Sequence, residues 1–96
     1  MAVDQGTPLI LPNGTQEWYN KGGKLHSLDG PAVITPSGSQ QWWYVDGELH
    51  RLDGPAVIWA DGHQEWWVHG QRHRLDGPAI IDAGGSHSWW VRGQTR

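Results

Sequence analysis

The sequence predicts an all-β fold, an antiparallel meander of about four stacked β-hairpin repeats. The pentapeptide Leu-Asp-Gly-Pro-Ala occurs three times, beginning at Leu28, Leu52 and Leu75. A fixed period of this size is typical of chains built from stacked supersecondary units. The 14 glycines and 6 prolines disfavour long helices. The apolar runs are short and rich in β-branched and aromatic residues, as strands are.

The period divides the chain into one domain of nearly four units. We expect an N-terminal tail at residues 1–7 and a single β-repeat domain at residues 8–96, with units at about 8–30, 31–54, 55–77 and 78–96. The outer two units are imperfect copies, which is typical of the caps of a repeat array. Because the last copy stops shortly after Trp90-Val91, we also expect an open strand edge there, and such an edge can pair with a second chain.

The sequence predicts that each unit contains short strands separated by two turns. Asp-Gly is the preferred chemistry of a two-residue type I′ turn, because both central residues need a positive φ. The sequence offers such turns at Asn13-Gly14, Asp46-Gly47 and Asp61-Gly62. The segment His-Arg-Leu-Asp-Gly-Pro-Ala-Val-Ile then bends at its proline, which has no N–H for a β-ladder. We expect its first half to pair backwards and its second half to pair with the following Trp-Trp strand.

The paired aromatic residues of each unit point to opposite faces, because side chains alternate along a strand. The second residue of each pair shares its face with more polar neighbours than the first. We therefore expect an inner stripe of Trp18, Trp42, Trp66 and Trp89 and a more exposed stripe of Tyr19, Trp43, Trp67 and Trp90. The second unit breaks the alternation because its turn carries one extra residue, and a β-bulge would restore the phase.

Composition limits the classes of function. The net charge is −3 and only 7 lysines and arginines are present, which disfavours binding to nucleic acid. The chain has no cysteine, so a disulfide framework and thiolate metal sites are excluded. No run approaches the roughly 20 apolar residues of a membrane span, and the first residues do not resemble a signal peptide. A cytoplasmic location is expected.

At these residues the chain resembles the MORN repeat family, in the variant W-Y-x-x-G-x-x-H-R-x-D-G-P-A of bacterial and phage proteins. One copy matches with Trp42-Trp43, Gly47, His50-Arg51 and Asp53 to Ala56, and the next with Trp66-Trp67, Gly70, His73-Arg74 and Asp76 to Ala79. The resemblance covers about residues 8 to 94. It implies stacked hairpins in an elongated, twisted single-layer sheet with an aromatic-lined groove. It also implies a role in binding, scaffolding or self-association, and no enzyme activity.

The repeated polar residues favour structural roles. His26, His50 and His73 recur once per unit, so they lie about 10 Å apart if each unit contributes two strands. This is too far for shared zinc coordination at about 2.0–2.1 Å, and we expect a structural histidine ladder. Asp29, Asp53 and Asp76 open each bend and are expected to accept local backbone N–H groups or to pair with Arg51 and Arg74. No nucleophile motif, acid–base pair or phosphate-binding loop is present, so we expect no catalytic residue, metal or cofactor.

The remaining signal is the excess of aromatic residues, with 8 tryptophans and no phenylalanine. Aromatic residues and arginine are enriched at binding hot spots. The sequence therefore favours a non-enzymatic protein–protein interaction module, an adaptor or inhibitor of bacterial or phage type, that binds through a tryptophan-rich face. Its expected partner surface comprises Tyr19, Trp43, Trp67, Trp90, Arg51 and Arg74. Two alternatives remain open: a carbohydrate- or choline-binding module, and a self-assembling repeat protein with a homodimer contact at the open edge.

Overall fold

The structure, a computed structural model, describes residues 7–95 and consists of short β-strands, turns and bends throughout that range. One antiparallel sheet contains β1 (Leu9–Ile10), β2 (Gln16–Glu17), β3 (Val33–Ile34), β4 (Gln40–Trp42), β7 (Val57–Trp59), β8 (Gln64–Glu65), β11 (Ile80–Ile81) and β12 (His87–Ser88). Three two-stranded ribbons contain β5 (Tyr44–Val45) with β6 (Glu48–Leu49), β9 (Trp67–Val68) with β10 (Gln71–Arg72), and β13 (Trp90–Val91) with β14 (Gln94–Thr95). The predicted all-β antiparallel meander is confirmed. Residues 1–6 of the expected tail lie outside the described range.

The sheet follows the chain, with strand order β1-β2-β3-β4-β7-β8-β11-β12. Each Pro-Ala-Val-Ile segment supplies a strand that pairs on both of its sides. In β7, Val57 lies opposite Trp42 of β4 and opposite Glu65 of β8. The half of the long segment beyond the Asp-Gly-Pro bend therefore pairs with the following aromatic strand, as expected, and also with the preceding one.

The two turns of each unit differ in backbone geometry. The ribbon turns are type I′, with positive φ at Asp46 (51°) and Gly47 (82°) and at the equivalent pairs His69-Gly70 and Arg92-Gly93. The expectation of type I′ turns at Asn13-Gly14 and Asp61-Gly62 is wrong, because only the glycine has a positive φ there. In this hairpin the Gly62 N–H donates to Trp59 O and the Trp59 N–H to His63 O. The loop is therefore a longer one in which a single glycine takes the left-handed conformation.

One tryptophan per unit marks the point where the chain passes from the sheet to a ribbon. The Trp66 N–H donates to Ala79 O in the sheet, and its carbonyl accepts the His73 N–H in the ribbon. Trp43 makes the same pair of bonds with Ala56 and His50, and Trp18 makes them with Ala32 and His26. One strand ends before this residue and the next begins after it, because its N–H and its carbonyl take part in different β-ladders.

These bonds correct the expected stripes. The equivalent residues are Trp18, Trp43, Trp66 and Trp89, followed by Tyr19, Tyr44, Trp67 and Trp90. Trp42 belongs to β4, where it occupies the position of Glu65 in β8. The extra residue of the second unit lies in the sheet hairpin, where the Thr35 N–H reaches Gln40 O while the other units close one residue earlier. An aligned Trp-Trp pair in the sequence therefore concealed a shift of one position.

The core is narrow, and the ends of the sheet are open. The fully buried hydrophobic residues are Ala32, Ala56 and Ala79, with Val57 nearly so; among the tryptophans, Trp59 and Trp89 are exposed and the others are partly buried. Among the described residues β1 and β12 are the edge strands of the large sheet. After Trp90-Val91 the chain continues into β14, whose only strand partner among the described residues is β13, so the open edge expected at this end stays a prediction.

Candidate interaction surface

An arginine braces each of the last two Asp-Gly-Pro bends. The Arg51 Nε–H donates to Asp53 Oδ1 at 2.9 Å, and Nη1 donates to Pro55 O at 3.0 Å. Arg74 makes the same bonds to Asp76 and Pro78, at 3.1 Å each. Each guanidinium also lies over an indole, with Cζ 4.0 Å from the Trp43 ring centroid and 3.9 Å from that of Trp66. The bend is therefore held against the crossover tryptophan of its own unit by a cation–π contact.

The glycine of each bend leaves room for this arginine. A Cβ at Gly77 would lie 2.8 Å from Arg74 Cζ, and one at Gly54 would lie 3.0 Å from Arg51 Cζ. At Gly30, whose unit has Ser27 in place of the arginine, a Cβ would meet nothing within 4 Å. Neither Gly54 nor Gly77 has a positive φ. At Gly54 and Gly77 a Cβ would therefore disturb the guanidinium, and no turn geometry at these two positions requires glycine.

The repeated histidines connect successive ribbons. Nδ1 of His26, His50 and His73 accepts the backbone N–H of Asp46, His69 and Arg92 respectively, each at 3.0 Å. The donors are the left-handed residues of the next type I′ turn. An accepting Nδ1 requires a neutral imidazole with its proton on Nε2. The predicted histidine ladder is confirmed.

The histidine of the second unit also contacts a neighbouring imidazole. The rings of His50 and His69 lie 4.3 Å apart. Burial and, secondarily, the nearby His69 lower the pKa of His50, while Glu48 offsets the change in part. The neutral form that the ladder needs is therefore favoured at this position.

The most exposed large apolar side chains are the leucines of the bends. Leu28, Leu52 and Leu75 are 62%, 80% and 73% exposed. Successive leucines form the walls of two clefts of about 490 and 650 Å³. The first cleft contains Trp43, Val45 and His50 between Leu28 and Leu52, and the second contains Trp66, Val68 and His73 between Leu52 and Leu75. We call this pair the leucine clefts.

The rims of the leucine clefts carry one carboxylate per unit, from Asp29, Asp53 and Asp76. The side chains of Asp53 and Asp76 are 87% and 90% exposed, whereas those of Arg51 and Arg74 are 23% and 24% exposed. The hydrogen bond from Arg51, with its charge, lowers the pKa of Asp53. The exposed groups at these two positions are therefore the carboxylates, while the guanidinium groups that pair with them lie below against the indoles.

The predicted partner residues divide between two places. Trp43, Arg51 and Arg74 line the leucine clefts. Trp67 and Trp90 lie in ribbons, and Tyr19 forms an isolated bridge with Leu25. Each of the three follows a crossover tryptophan by one residue and so points to the opposite face. Of these three, Tyr19 is exposed and the two tryptophans are half-buried.

A second cluster surrounds the ribbon tryptophans. Arg72 Cζ lies 5.0 Å from the Trp67 ring centroid and 4.8 Å from that of Trp90. The Trp67 Nε1–H donates to Glu65 Oε1 at 2.7 Å, and the other oxygen of Glu65 contacts His63 Nε2 at 2.7 Å. The ribbon tryptophans are therefore engaged by the chain's own charged groups.

Sequence reasoning did not identify the bend leucines as surface residues. The signal was present, because a leucine precedes Asp-Gly-Pro in all three copies although the bend itself requires no apolar side chain.

Within residues 7–95 no three histidine, aspartate or glutamate side chains come together as a metal site would require. No helix in this range is long and apolar enough to cross a membrane. No family model, curated protein or solved structure matches the chain.

Proposed function

We propose that this chain is a non-enzymatic protein-interaction module of the MORN-like repeat type, and that its partner surface is the row of leucine clefts. The observation that carries this proposal is the exposure of Leu28, Leu52 and Leu75 on one repeated surface. Exposed apolar side chains that line a continuous surface mark interaction sites more often than scattered ones do.

The arrangement within each cleft supports the same function. An indole, a valine and two leucines supply apolar surface, and the arginine and histidine hold them in place through bonds to the backbone. Interfaces of this kind combine rigid aromatic or aliphatic anchors with a polar rim. Because the clefts repeat, a partner can gain affinity from several equivalent contacts.

The choline or carbohydrate alternative has less support. A quaternary ammonium ligand needs free indole faces, and guanidinium groups of this chain already lie over Trp43, Trp66, Trp67 and Trp90. Trp89 and Trp59 are more open, 45% and 40% exposed, but a histidine ring lies beside each of them, with centroids 5.9 Å apart for His87 and Trp89 and 5.5 Å apart for His63 and Trp59.

Self-association through an edge of the sheet is a second candidate function. Leu9 and Ile10 on edge strand β1 are 55% and 61% exposed, and an exposed apolar edge is a site for strand pairing. Light scattering across a range of concentrations tests it, since a mass that stays monomeric excludes edge pairing. The same residues supply the control for the leading proposal.

The test of the leading proposal compares two exposed surfaces, the leucine clefts and edge strand β1. The immobilised chain and its Leu52→Ser/Leu75→Ser and Leu9→Ser variants are incubated with lysate of the source cells, and captured proteins are quantified by mass spectrometry. All three changes are at exposed sites and should alter stability by at most about 0.5 kcal/mol each. We expect one captured protein to be lost with the double variant and retained with Leu9→Ser. Equal capture by all three baits would contradict the proposal.

A further inference from the structure

The leucine clefts repeat at a spacing that the backbone fixes. Each unit adds two strands to the large sheet, and each of the last three units adds a two-stranded ribbon. Neighbouring ribbons are joined directly, by the Arg51 N–H to Trp67 O at 3.0 Å and by the Gly70 N–H to Leu49 O at 2.9 Å. Because strands lie about 4.7–4.9 Å apart, one cleft follows the next after about 9.4–9.8 Å. The two clefts are contiguous, since Arg51, Leu52 and Asp53 line both.

This spacing discriminates among the conformations of a bound polypeptide. A polyproline II segment returns to the same face every three residues, after about 9.3 Å. A β-strand returns to the same face after about 6.6–6.8 Å, so it falls out of phase at the next cleft. A helix returns after seven residues, about 10.5 Å, and it would also have to enter clefts separated by a protruding leucine. Of the three conformations, the polyproline II segment has the repeat distance closest to the spacing of the clefts.

The rim of the clefts selects the charge of the bound segment. Asp53 and Asp76 pair with Arg51 and Arg74, but in each pair the carboxylate faces solvent and the arginine is turned inward against tryptophan and the backbone. The first unit has no arginine at the equivalent position, where Ser27 stands beside Asp29. The charged group that a partner meets first is therefore a carboxylate, with no arginine of its own unit to offset it at Asp29, and complementary charge on the partner is positive.

We propose that the leucine clefts bind an extended, proline-rich polypeptide segment in the polyproline II conformation, with one apolar and one basic residue in every three. The apolar residues enter successive clefts beside Trp43 and Trp66, and the basic residues reach the rim carboxylates. A preformed polyproline II segment loses little conformational entropy on binding, which favours recognition in shallow clefts. This inference rests on the proposed protein-interaction function and names the class of partner.

The test is fluorescence anisotropy with synthetic peptides. The probe is a fluorescein-labelled peptide of four Leu-Pro-Arg triplets. Its comparison peptides are a shuffled sequence of the same composition, four Leu-Pro-Glu triplets, and a helix-forming peptide with leucine at every seventh position. We expect saturable binding of the Leu-Pro-Arg peptide that is at least tenfold tighter than that of each comparison peptide. Leu52→Ser should weaken it at least fivefold, Asp29→Asn should weaken it and reduce its salt dependence, and Leu9→Ser should leave it unchanged.

The outcomes separate this inference from the proposed function. Equal binding of the shuffled peptide, tighter binding of the helical peptide, or no binding of the Leu-Pro-Arg peptide overturns the inference. If the captured cellular protein is nevertheless lost with Leu52→Ser/Leu75→Ser, the interaction module stands and only the class of segment is wrong. If neither the peptide nor the cellular protein depends on the leucines, both proposals fail.

Discussion

The glycine of the Asp-Gly-Pro bend provides a sharp test of how the repeat is stabilised, because the chain contains its own control. Replacing Gly77 by alanine places a methyl group 2.8 Å from Arg74 Cζ, whereas the same change at Gly30 meets nothing within 4 Å. The arginine is flexible at its far end, so it will swing away. The cost of the change at Gly77 is then what Arg74 contributes in its present position.

That contribution is modest but measurable. The guanidinium over Trp66 is worth about 0.5–1 kcal/mol at a partly exposed site. The bond to Pro78 O adds about 0.5–1.5 kcal/mol. The ion pair with exposed Asp76 adds at most about 1 kcal/mol. Alanine returns about 0.4–1 kcal/mol by restricting the unfolded chain. We expect Gly77→Ala to lower the free energy of unfolding by about 1 kcal/mol and Gly30→Ala to leave it unchanged or raise it slightly.

Thermal unfolding followed by circular dichroism resolves this difference. A loss of about 1 kcal/mol corresponds to a decrease in Tm of roughly 4–8 °C for a domain of this size. In the Arg74→Ala background, Gly77→Ala should no longer destabilise, because the group that it displaces is absent. Equal effects of Gly30→Ala and Gly77→Ala, or an undiminished cost in the Arg74→Ala background, would refute the role assigned to the arginine.

Three further predictions concern the ribbons. The folded state lowers the pKa of His50 below its unfolded value of about 6.5, so the free energy of unfolding should be highest above that pH and should decrease as the pH falls below it. Urea unfolding at pH 5 and 7.5 should show this decrease. The decrease should be smaller in His50→Gln. Asparagine tolerates the left-handed conformation better than arginine does, so Arg92→Asn at φ 53° should raise stability by about 0.5 kcal/mol, and an unchanged or lower Tm would be contrary to expectation. Arg72 has a buried Nε without a partner, and Leu49 occupies the equivalent position in the previous ribbon. Arg72→Leu should therefore change the free energy of unfolding by less than about 1 kcal/mol. A larger loss in chemical unfolding would contradict this.

The fold was readable from the sequence because repetition and turn chemistry act locally. The period, the Asp-Gly-Pro bends and the alternation of strands and turns define the meander without reference to distant contacts. The histidine ladder followed from the same reasoning, since two strands per unit set the distance between His50 and His73.

The aromatic stripes were predicted wrongly in the second unit because one extra residue shifts its strands by one position. The sequence aligns Trp42-Trp43 with Trp66-Trp67, but the longer sheet hairpin near Ser39 moves the second unit forward by one, so that Trp43 corresponds to Trp66. The sequence showed that the second unit carries one extra residue, but its alternation did not show in which turn of the unit that residue lies. Period-two patterns are sensitive to such a shift, because one residue exchanges the two faces.

The surface was only partly predictable for a different reason. Trp43, Arg51 and Arg74 were expected at the partner surface and do line the leucine clefts. The bend leucines were missed although they recur before each Asp-Gly-Pro, because the recurrence does not show whether a side chain at the bend packs inward or faces solvent. That exposure depends on tertiary packing.

The most direct test of the account is a map of the seven leucines by methyl NMR during titration with the captured partner or the Leu-Pro-Arg peptide. The leucines lie at positions 9, 11, 25, 28, 49, 52 and 75, so each methyl resonance reports on a known place in the fold. The account expects the resonances of Leu28, Leu52 and Leu75 to shift together and saturate at one concentration, while those of Leu9 and Leu11 remain in place. Shifts confined to Leu9 and Leu11, with the three bend leucines unchanged, would contradict it.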